Sequence, residues 1–175
     1  MGHSQETVTI DGFELQMLPH LGAAFTLARY LLRDPADAED AVQEAYLQAL
    51  RYFAGFRGEN ARAWLLTIVR RVCYGWIERA RRQPWADSQL VDELPGAGDD
   101  PETAFLHAER LEQLARAVDA LPFPFREVIV LREIQELSYQ EIATVTGVPV
   151  GTVMSRLARA RRRLQRVLQA EGMEG

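Results

Sequence analysis

The sequence predicts an all-α protein of two small helical domains joined by a flexible linker, and three observations carry that reading. Apolar residues recur at spacings of three and four along most of the chain. No stretch shows the apolar–polar alternation of a half-buried strand. Between two helical stretches lies a segment punctuated by proline, glycine and acids. With 175 residues, 47% of them hydrophobic, the chain is long enough for one domain or two small ones. The boundaries read as a tail over 1–14, a first domain over 15–82, a linker over 83–104, a second domain over 105–170 and a tail over 171–175.

From Leu15 onward, Leu18, Leu21, Phe25, Ala28 and Leu32 trace one buried stripe of a first helix. Asp34-Pro35 breaks it. A proline at the start of a new helix, with Asp37, Glu39 and Asp40 in its first turns, is a start signal. This second helix runs through Val42, Ala45, Tyr46, Ala49 and Phe53, and Gly55 and Gly58 end it. Residues 61–82 form one helix or two short ones, with apolar positions at 64, 65, 68, 69, 72, 73, 76 and 77. Arg70, Arg71, Tyr74, Arg79, Arg81 and Arg82 lie mostly off that stripe. Trp64 and Trp76 read as core residues, while Tyr74 suits packing and base stacking equally.

The linker contains Pro84, Pro95, Pro101, Gly96 and Gly98, and over 87–102 it has six acids and no basic residue. A mobile chain without a DNA contact is expected there. Helical spacing returns at Leu106, Leu111, Leu114, Ala115, Val118 and Leu121. Pro122-Phe123-Pro124 forces a turn, and Phe125 to Ile134 predicts a helix burying Val128, Ile129 and Leu131.

Composition excludes several classes of function. One cysteine, Cys73, rules out a disulfide framework and a cysteine-rich zinc site. His3, His20 and His107 stand far apart, in no ligand spacing. No apolar run approaches the ~18 residues of a membrane span, and no basic-then-apolar leader opens the chain. There is no Gly-rich phosphate loop and no nucleophile with a nearby histidine. The expectation is a cytoplasmic protein without metal, cofactor or enzymatic activity.

The net charge of −5 conceals segregation. Residues 1–50 carry −6, 51–86 carry +6, 87–141 carry −9 and 142–175 carry +4. All 20 basic residues are arginine, a side chain suited to bidentate contacts with phosphate and guanine, although base composition of the genome also explains the bias. Two separated basic blocks suggest two contacts with a polyanion.

The second block carries a motif. Ser138-Tyr139-Gln140-Glu141 is a capping box, followed by a short helix with Ile142, Ala143 and Val145, a turn at Gly147, and a new helix from Val148-Pro149-Val150. This is the layout of a helix-turn-helix, whose second helix enters the major groove. Ala143 lets the helices approach, and Ile142, Val148, Val153 and Leu157 seal the joint. Thr152, Ser155, Arg156 and Arg159 would lie toward DNA, with Arg161, Arg162 and Arg163 nearer the phosphate backbone. No acid occurs between Ile142 and Ala170.

Residues Leu121-Pro122, Arg126-Glu127-Val128, Leu131-Arg132 and Leu137 to Ala143, continuing through Gly147 to Leu157 and Arg159-Ala160-Arg161, resemble region 4 of an extracytoplasmic-function sigma factor. Independently, Asp34-Pro35, Asp37 to Asp40, Val42 to Tyr46, Phe56-Arg57-Gly58, Trp64-Leu65 and Ile68-Val69-Arg70 resemble region 2. The two motif sets cover roughly 15–82 and 105–168, in the family's order.

The resemblance implies promoter-specific initiation with core RNA polymerase. It implies that Asp37, Asp40, Gln43 and Glu44 dock on the clamp coiled coil of the β′ subunit, and the acidic, amide-bearing character of that helix suits a basic protein partner. Phe56, Arg57, Asn60, Arg70, Arg71 and Tyr74 correspond to the −10 surface, a mixture of arginine and aromatics apt for single-stranded DNA. Thr152, Ser155, Arg156, Arg159, Arg161 and Arg162 correspond to the −35 reader. The β flap, promoter DNA and an anti-sigma factor are the remaining implied partners, and the linker would follow an interior channel of polymerase. Many members carry asparagine at the Arg71 position and a basic residue at the Met154 position, so neither promoter sequence is carried over.

Two other readings compete. An ordinary helix-turn-helix regulator explains residues 138–163 but leaves the Gln43-Glu44 and Phe56-Arg57-Gly58 matches unexplained. A sigma mimic that sequesters an anti-sigma factor would need weakened basic surfaces, and both basic blocks are intact.

Overall fold

A computed structural model describes residues 12–82 and 101–170, with side chains from Glu109 onward in the second stretch. A helical turn over 12–17 tightens into a 3-10 turn at Leu18–His20, followed by α1 (Leu21–Leu32), α2 (Pro35–Tyr52) and α3 (Ala61–Arg82). The second half contains α4 (Pro101–Asp119), α5 (Phe123–Ile129), a π turn (Val130–Ile134), α6 (Tyr139–Thr146) and α7 (Val150–Ala170). No strand occurs among the described residues. Residues 61–82 form one helix, and α4 begins at Pro101, within the last residues read as linker. The rest of that segment, 83–100, lies outside the described residues.

Local chemistry sets the helix ends. Arg33, in the left-handed region at φ 67°, closes α1 by donating its N–H to the Arg29 carbonyl. Asp34 then turns extended and accepts the Asp37 N–H at 2.9 Å, capping α2 with Pro35 just inside. α2 buries Ala38, Ala41, Val42, Ala45 and Ala49, a face of small side chains that lets α1 and α3 approach it closely. Against it α3 buries Leu65, Leu66, Ile68, Val69, Val72 and Cys73.

Two predicted stripes are displaced. α1 faces inward with Ala24, Leu27, Ala28 and Leu31, whereas Leu18, Leu21 and Phe25 are exposed and Leu32 is half-buried. Apolar residues surround most of α1, so spacing alone does not choose between adjacent stripes. The 3-10 turn containing Pro19 also resets the phase assumed from Leu15. In α4, Leu111 and Leu114 are exposed, and full burial begins at Ala117 and Val118, continuing at Leu121 in the turn that follows.

The predicted Phe125–Ile134 helix is α-helical to Ile129 and then widens into the π turn, where the Gln135 N–H reaches back to the Val130 carbonyl at 2.9 Å. Val128, Ile129, Val130 and Leu131 are buried there, as are the charged Arg126 and Glu127 and the amide of Gln135. α5, α6 and the end of α4 pack on α7.

The two halves also pack on each other, α1 against α5 and α3 against α6, so that one hydrophobic cluster runs through both. Polar contacts reinforce this seam. Arg126 donates to the Asp119 and Leu121 carbonyls at 2.9 and 3.1 Å, and to the Leu31 carbonyl across the seam at 3.4 Å. Burial, with repulsion from Arg33, lowers its pKa to about 10, so it remains charged at neutral pH. Arg33 donates to the Asp119 carbonyl. Gln135 accepts from Arg62 at 2.6 Å and donates to the Ala23 carbonyl at 3.2 Å.

The predicted capping box is formed. Ser138 Oγ accepts the Glu141 N–H at 3.2 Å, and the Glu141 carboxylate accepts the Ser138 N–H at 2.7 Å. That second bond, helped by the Asn60 amide, holds the Glu141 carboxyl below its ordinary value of 4.5. A depressed carboxyl pKa contributes stability that is complete above 4.5 and disappears as pH falls through the lower, folded value. Ser138→Ala is expected to destabilise the chain by about 1 kcal/mol. The stability difference between Glu141→Gln and the parent is expected to shrink toward zero as pH drops below 4.5, measured by urea unfolding across that range.

Candidate nucleic-acid interface

The helix-turn-helix follows from three short-range features. Ser138 starts α6, Gly147 ends it at φ 70°, and the Pro149 carbonyl accepts the N–H groups of Thr152 and Val153 at 2.9 and 3.1 Å to open α7. Left-handed backbone at position 147 is comfortable for glycine and strained for most other residues. α7 then buries Val153, Leu157 and Ala160 along one stripe and keeps Leu164 half-buried. Ser155, Arg159 and Arg162, spaced by four and three residues, share the opposite, exposed face. Ser155 Oγ donates to the Thr152 carbonyl at 3.0 Å, and Thr152 itself is half-buried.

Three other arginines of α7 are engaged by the protein. Arg156 turns inward to Glu127 at 3.4 Å, Arg161 pairs with Glu133 at 2.7 Å, and Arg163 lies over the Phe125 ring at 5.0 Å. The structure therefore brings Ser155, Arg159 and Arg162 together on one open face, and separates Arg156 and Arg161 from them as ion-paired residues. Met154 is exposed beside that face.

The candidate −10 residues divide similarly. Phe56 is half-buried in an aromatic cluster, 5.8 Å from Phe53 and 4.9 Å from Trp64 between ring centroids. Arg57 and Arg71 are exposed. Asn60 caps α3 by accepting the Ala63 N–H at 3.0 Å, and its amide donates to Glu141 at 2.6 Å. Arg70 spans Glu127 with two bonds, at 2.6 and 3.3 Å, and lies 5.8 Å from the Tyr74 ring centre. Tyr74 meets Phe123 edge-on at 5.9 Å while remaining partly open to solvent. Three residues of this set thus touch the second half of the chain.

On α2, Asp37, Asp40 and Gln43 are exposed, with exposed Leu47 one turn further along. Partial burial and the neighbouring Asp34 and Asp40 raise the Asp37 pKa, so this face gathers negative charge against its own repulsion. Glu44 differs from these three. It is half-buried and accepts the Trp76 indole N–H at 2.8 Å and the Gln48 amide at 3.2 Å, joining α2 to α3.

Sequence reasoning placed Glu127 only within a motif and gave Arg126 and Gln135 no role of their own. Glu127 is 1% exposed, and burial raises its pKa while Arg70 and Arg156 oppose the rise. Its main partner is 57 residues away, beyond the reach of local spacing. Among the described residues no His/Cys/Asp/Glu group could hold a metal ion, and no helix is long and apolar enough to cross a membrane. Burial pushes the Cys73 thiol up to about 12, which removes the thiolate needed for reactivity.

Comparison with known proteins matches both halves. The family model for sigma-70 region 2 covers residues 17–83, and that for sigma-70 region 4 covers residues 111–164. The RNA polymerase sigma-H factor of Pseudomonas aeruginosa is 34% identical over 166 residues, 90% of this chain and 86% of that protein. The ECF RNA polymerase sigma-E factor of Escherichia coli K12 is 35% identical over 155 residues, 83% of this chain and 80% of that one. The sigma factor RpoE of Bartonella quintana, solved in complex with the anti-sigma factor NepR, superposes with a TM-score of 0.76 at 28% identity, covering 90% of this chain and 97% of that chain. CnrH, solved with the cytosolic domain of CnrY, gives a TM-score of 0.63 at 28% identity over 90% of this chain and 88% of that chain. With both regions matched in order and relatives aligned over most of their length, this chain belongs to the extracytoplasmic-function sigma factors of the sigma-70 family.

Proposed function

We infer that this sigma factor binds core RNA polymerase through the outer face of α2, contacts the opened −10 strand with the arginine and aromatic face of α3, and reads the −35 element with α7. Membership of the family makes promoter-specific transcription initiation its role, one that sigma factors perform without themselves catalysing a reaction. The observation that carries the finer reading is the exposed line of Ser155, Arg159 and Arg162 on α7, the second helix of the helix-turn-helix, which has no acid over its length. A helix of that charge seats its serine and first arginine at base edges and its later arginine at phosphate. Work in the cytoplasm, with the transcription machinery, follows from this role.

An anti-sigma factor is the remaining partner we infer, supported by the similar sigma factor RpoE solved in complex with the anti-sigma factor NepR. Exposed Leu18, Leu21 and Phe25 supply apolar surface that a protein partner would cover. Run-off transcription with purified core polymerase on a promoter library tests the whole assignment, since a helix-turn-helix regulator would give no transcript above core alone.

The structure selects the variant that tests core binding. Glu44 also joins α2 to α3 through Trp76, so its reversal would disturb packing, whereas Asp40 is exposed. Asp40→Arg is expected to weaken core affinity roughly tenfold, about 1.4 kcal/mol, with an unchanged circular dichroism spectrum. Fluorescence titration against core measures it, and unaltered affinity removes this face from the assignment.

Arg159 and Arg162, both exposed on α7, are expected to behave differently. Arg159→Ala should cost about 1–3 kcal/mol at one base-pair position and relax preference there. Arg162→Ala should weaken all sequences alike and lower the salt slope by about 0.9. Holoenzyme selection from a randomised −35 duplex at several salt concentrations separates the two. If neither affinity, preference nor salt slope changes, α7 does not read DNA.

A further inference from the structure

The face of α7 opposite its buried stripe has a small middle and long edges. At about 3.6 residues per turn, Gly151, Ser155, Ala158 and Arg162 lie along its middle, and all four are exposed. The first three are small. A Cβ placed on Gly151 would meet no heavy atom within 4 Å, so the space in front of it is open. Such a strip lets the helix axis come close to a groove floor with no bulky side chain in between. Longer side chains reach out from its two flanks, Arg159 from one and Met154 from the other.

Met154 is 53% exposed, and among the described residues it is the one large hydrophobic side chain of α7 left so open. Single exposed hydrophobic residues are common on protein surfaces, so exposure alone assigns nothing. Its place beside the small strip restricts what it can do. A thioether donates no hydrogen bond and accepts only weakly, so it can neither read a purine edge nor hold a phosphate. It is unbranched and polarisable, and adapts to whatever apolar group lies within reach. On base edges in the major groove that group is the C5-methyl of thymine, which 5-methylcytosine carries at the same ring position.

We propose that Met154 is a specificity residue of the −35 reader that recognises a pyrimidine C5-methyl group, while Arg159 takes a hydrogen-bonding base edge from the opposite flank. The proposal rests on the reading of α7 as the helix that enters the −35 groove. An uncharged thioether releases no counterion, so this contact discriminates between sequences without adding to the salt dependence.

The experiment titrates holoenzyme, reconstituted from the full chain and core polymerase, with the duplex that it selects from a randomised −35 library. Each thymine of the element, on either strand, is replaced in turn by uracil, which removes the methyl and keeps every hydrogen-bonding group. Each cytosine is replaced in turn by 5-methylcytosine, which adds the methyl alone. The series is repeated with Met154→Ala and Met154→Leu.

At one pyrimidine position the methyl is expected to tighten binding by the parent about fourfold, the factor that burial of one methyl group gives. Met154→Ala should abolish that dependence with the salt slope unchanged, and Met154→Leu should keep most of it. A loss with uracil identifies thymine as the source, and a gain confined to 5-methylcytosine identifies the modified base. The proposal is overturned if no position depends on the methyl, or if the dependence survives in Met154→Ala. Arg162→Ala on the same duplexes separates this outcome from failure of the underlying reading. If it lowers the salt slope while methyl effects are absent, only the role of Met154 fails; if it too changes nothing, α7 does not read the −35 element.

Discussion

A carboxylate buried at 1% exposure anchors this structure: burial raises the pKa of Glu127, and two arginines reach the carboxylate and oppose that rise. An ion taken out of water without a partner costs several kcal/mol or changes its protonation state. Glu127 lies on α5, Arg156 on α7 and Arg70 on α3, so one carboxylate ties the second helix of the helix-turn-helix to α5 and α5 to the first domain. Arg126, its neighbour in sequence, does the same for the backbone by donating to carbonyls at the ends of α1 and α4. The relative placement of the halves is thus written largely in polar contacts around α5, with the apolar cluster continuous behind them.

Those polar contacts differ from a hydrophobic seam in a way that bears on function. Breaking apolar contacts exposes surface that nothing else in the cell's aqueous phase rewards, whereas a guanidinium released from a carboxylate finds an equivalent partner in phosphate. Arginine suits this dual use because it stays protonated when partly buried and keeps its fork geometry with either anion. By contrast, the alanine-lined packing of α2 against α1 and α3 offers no such exchange. The first domain is held by apolar packing, whereas the seam adds polar contacts to the apolar cluster.

The outer surfaces follow the same logic of charge kept apart. α2 keeps Asp37, Glu39 and Asp40 exposed, away from its buried alanines, while α7 presents Ser155, Arg159 and Arg162 opposite Val153, Leu157 and Ala160. Each helix thus combines a buried stripe that fixes its orientation with an exposed stripe of one sign. A partner of opposite charge meets a surface whose side chains need no rearrangement of the fold.

Helix identity, helix ends and the helix-turn-helix were legible in the sequence, because each depends on residues within a few positions of one another. Asp34-Pro35, Ser138 with Glu141, and Gly147 act through bonds spanning at most four residues, and the structure forms each of them. The orientation of α1 was not legible, since apolar residues surround it and only packing against α2 and α3 chooses among the stripes. Nor was the state of Arg70, Asn60, Glu44 or Arg156 legible, each of which the sequence offers as a free ligand for a partner. Their actual neighbours lie 57, 81, 32 and 29 residues away. The sequence by itself determined the helices, their caps and the segregation of charge, all products of local chemistry. Only the tertiary structure decided which of those charges face solvent and which are taken by the protein, because burial and ion pairing depend on what the folded chain brings within about 4 Å.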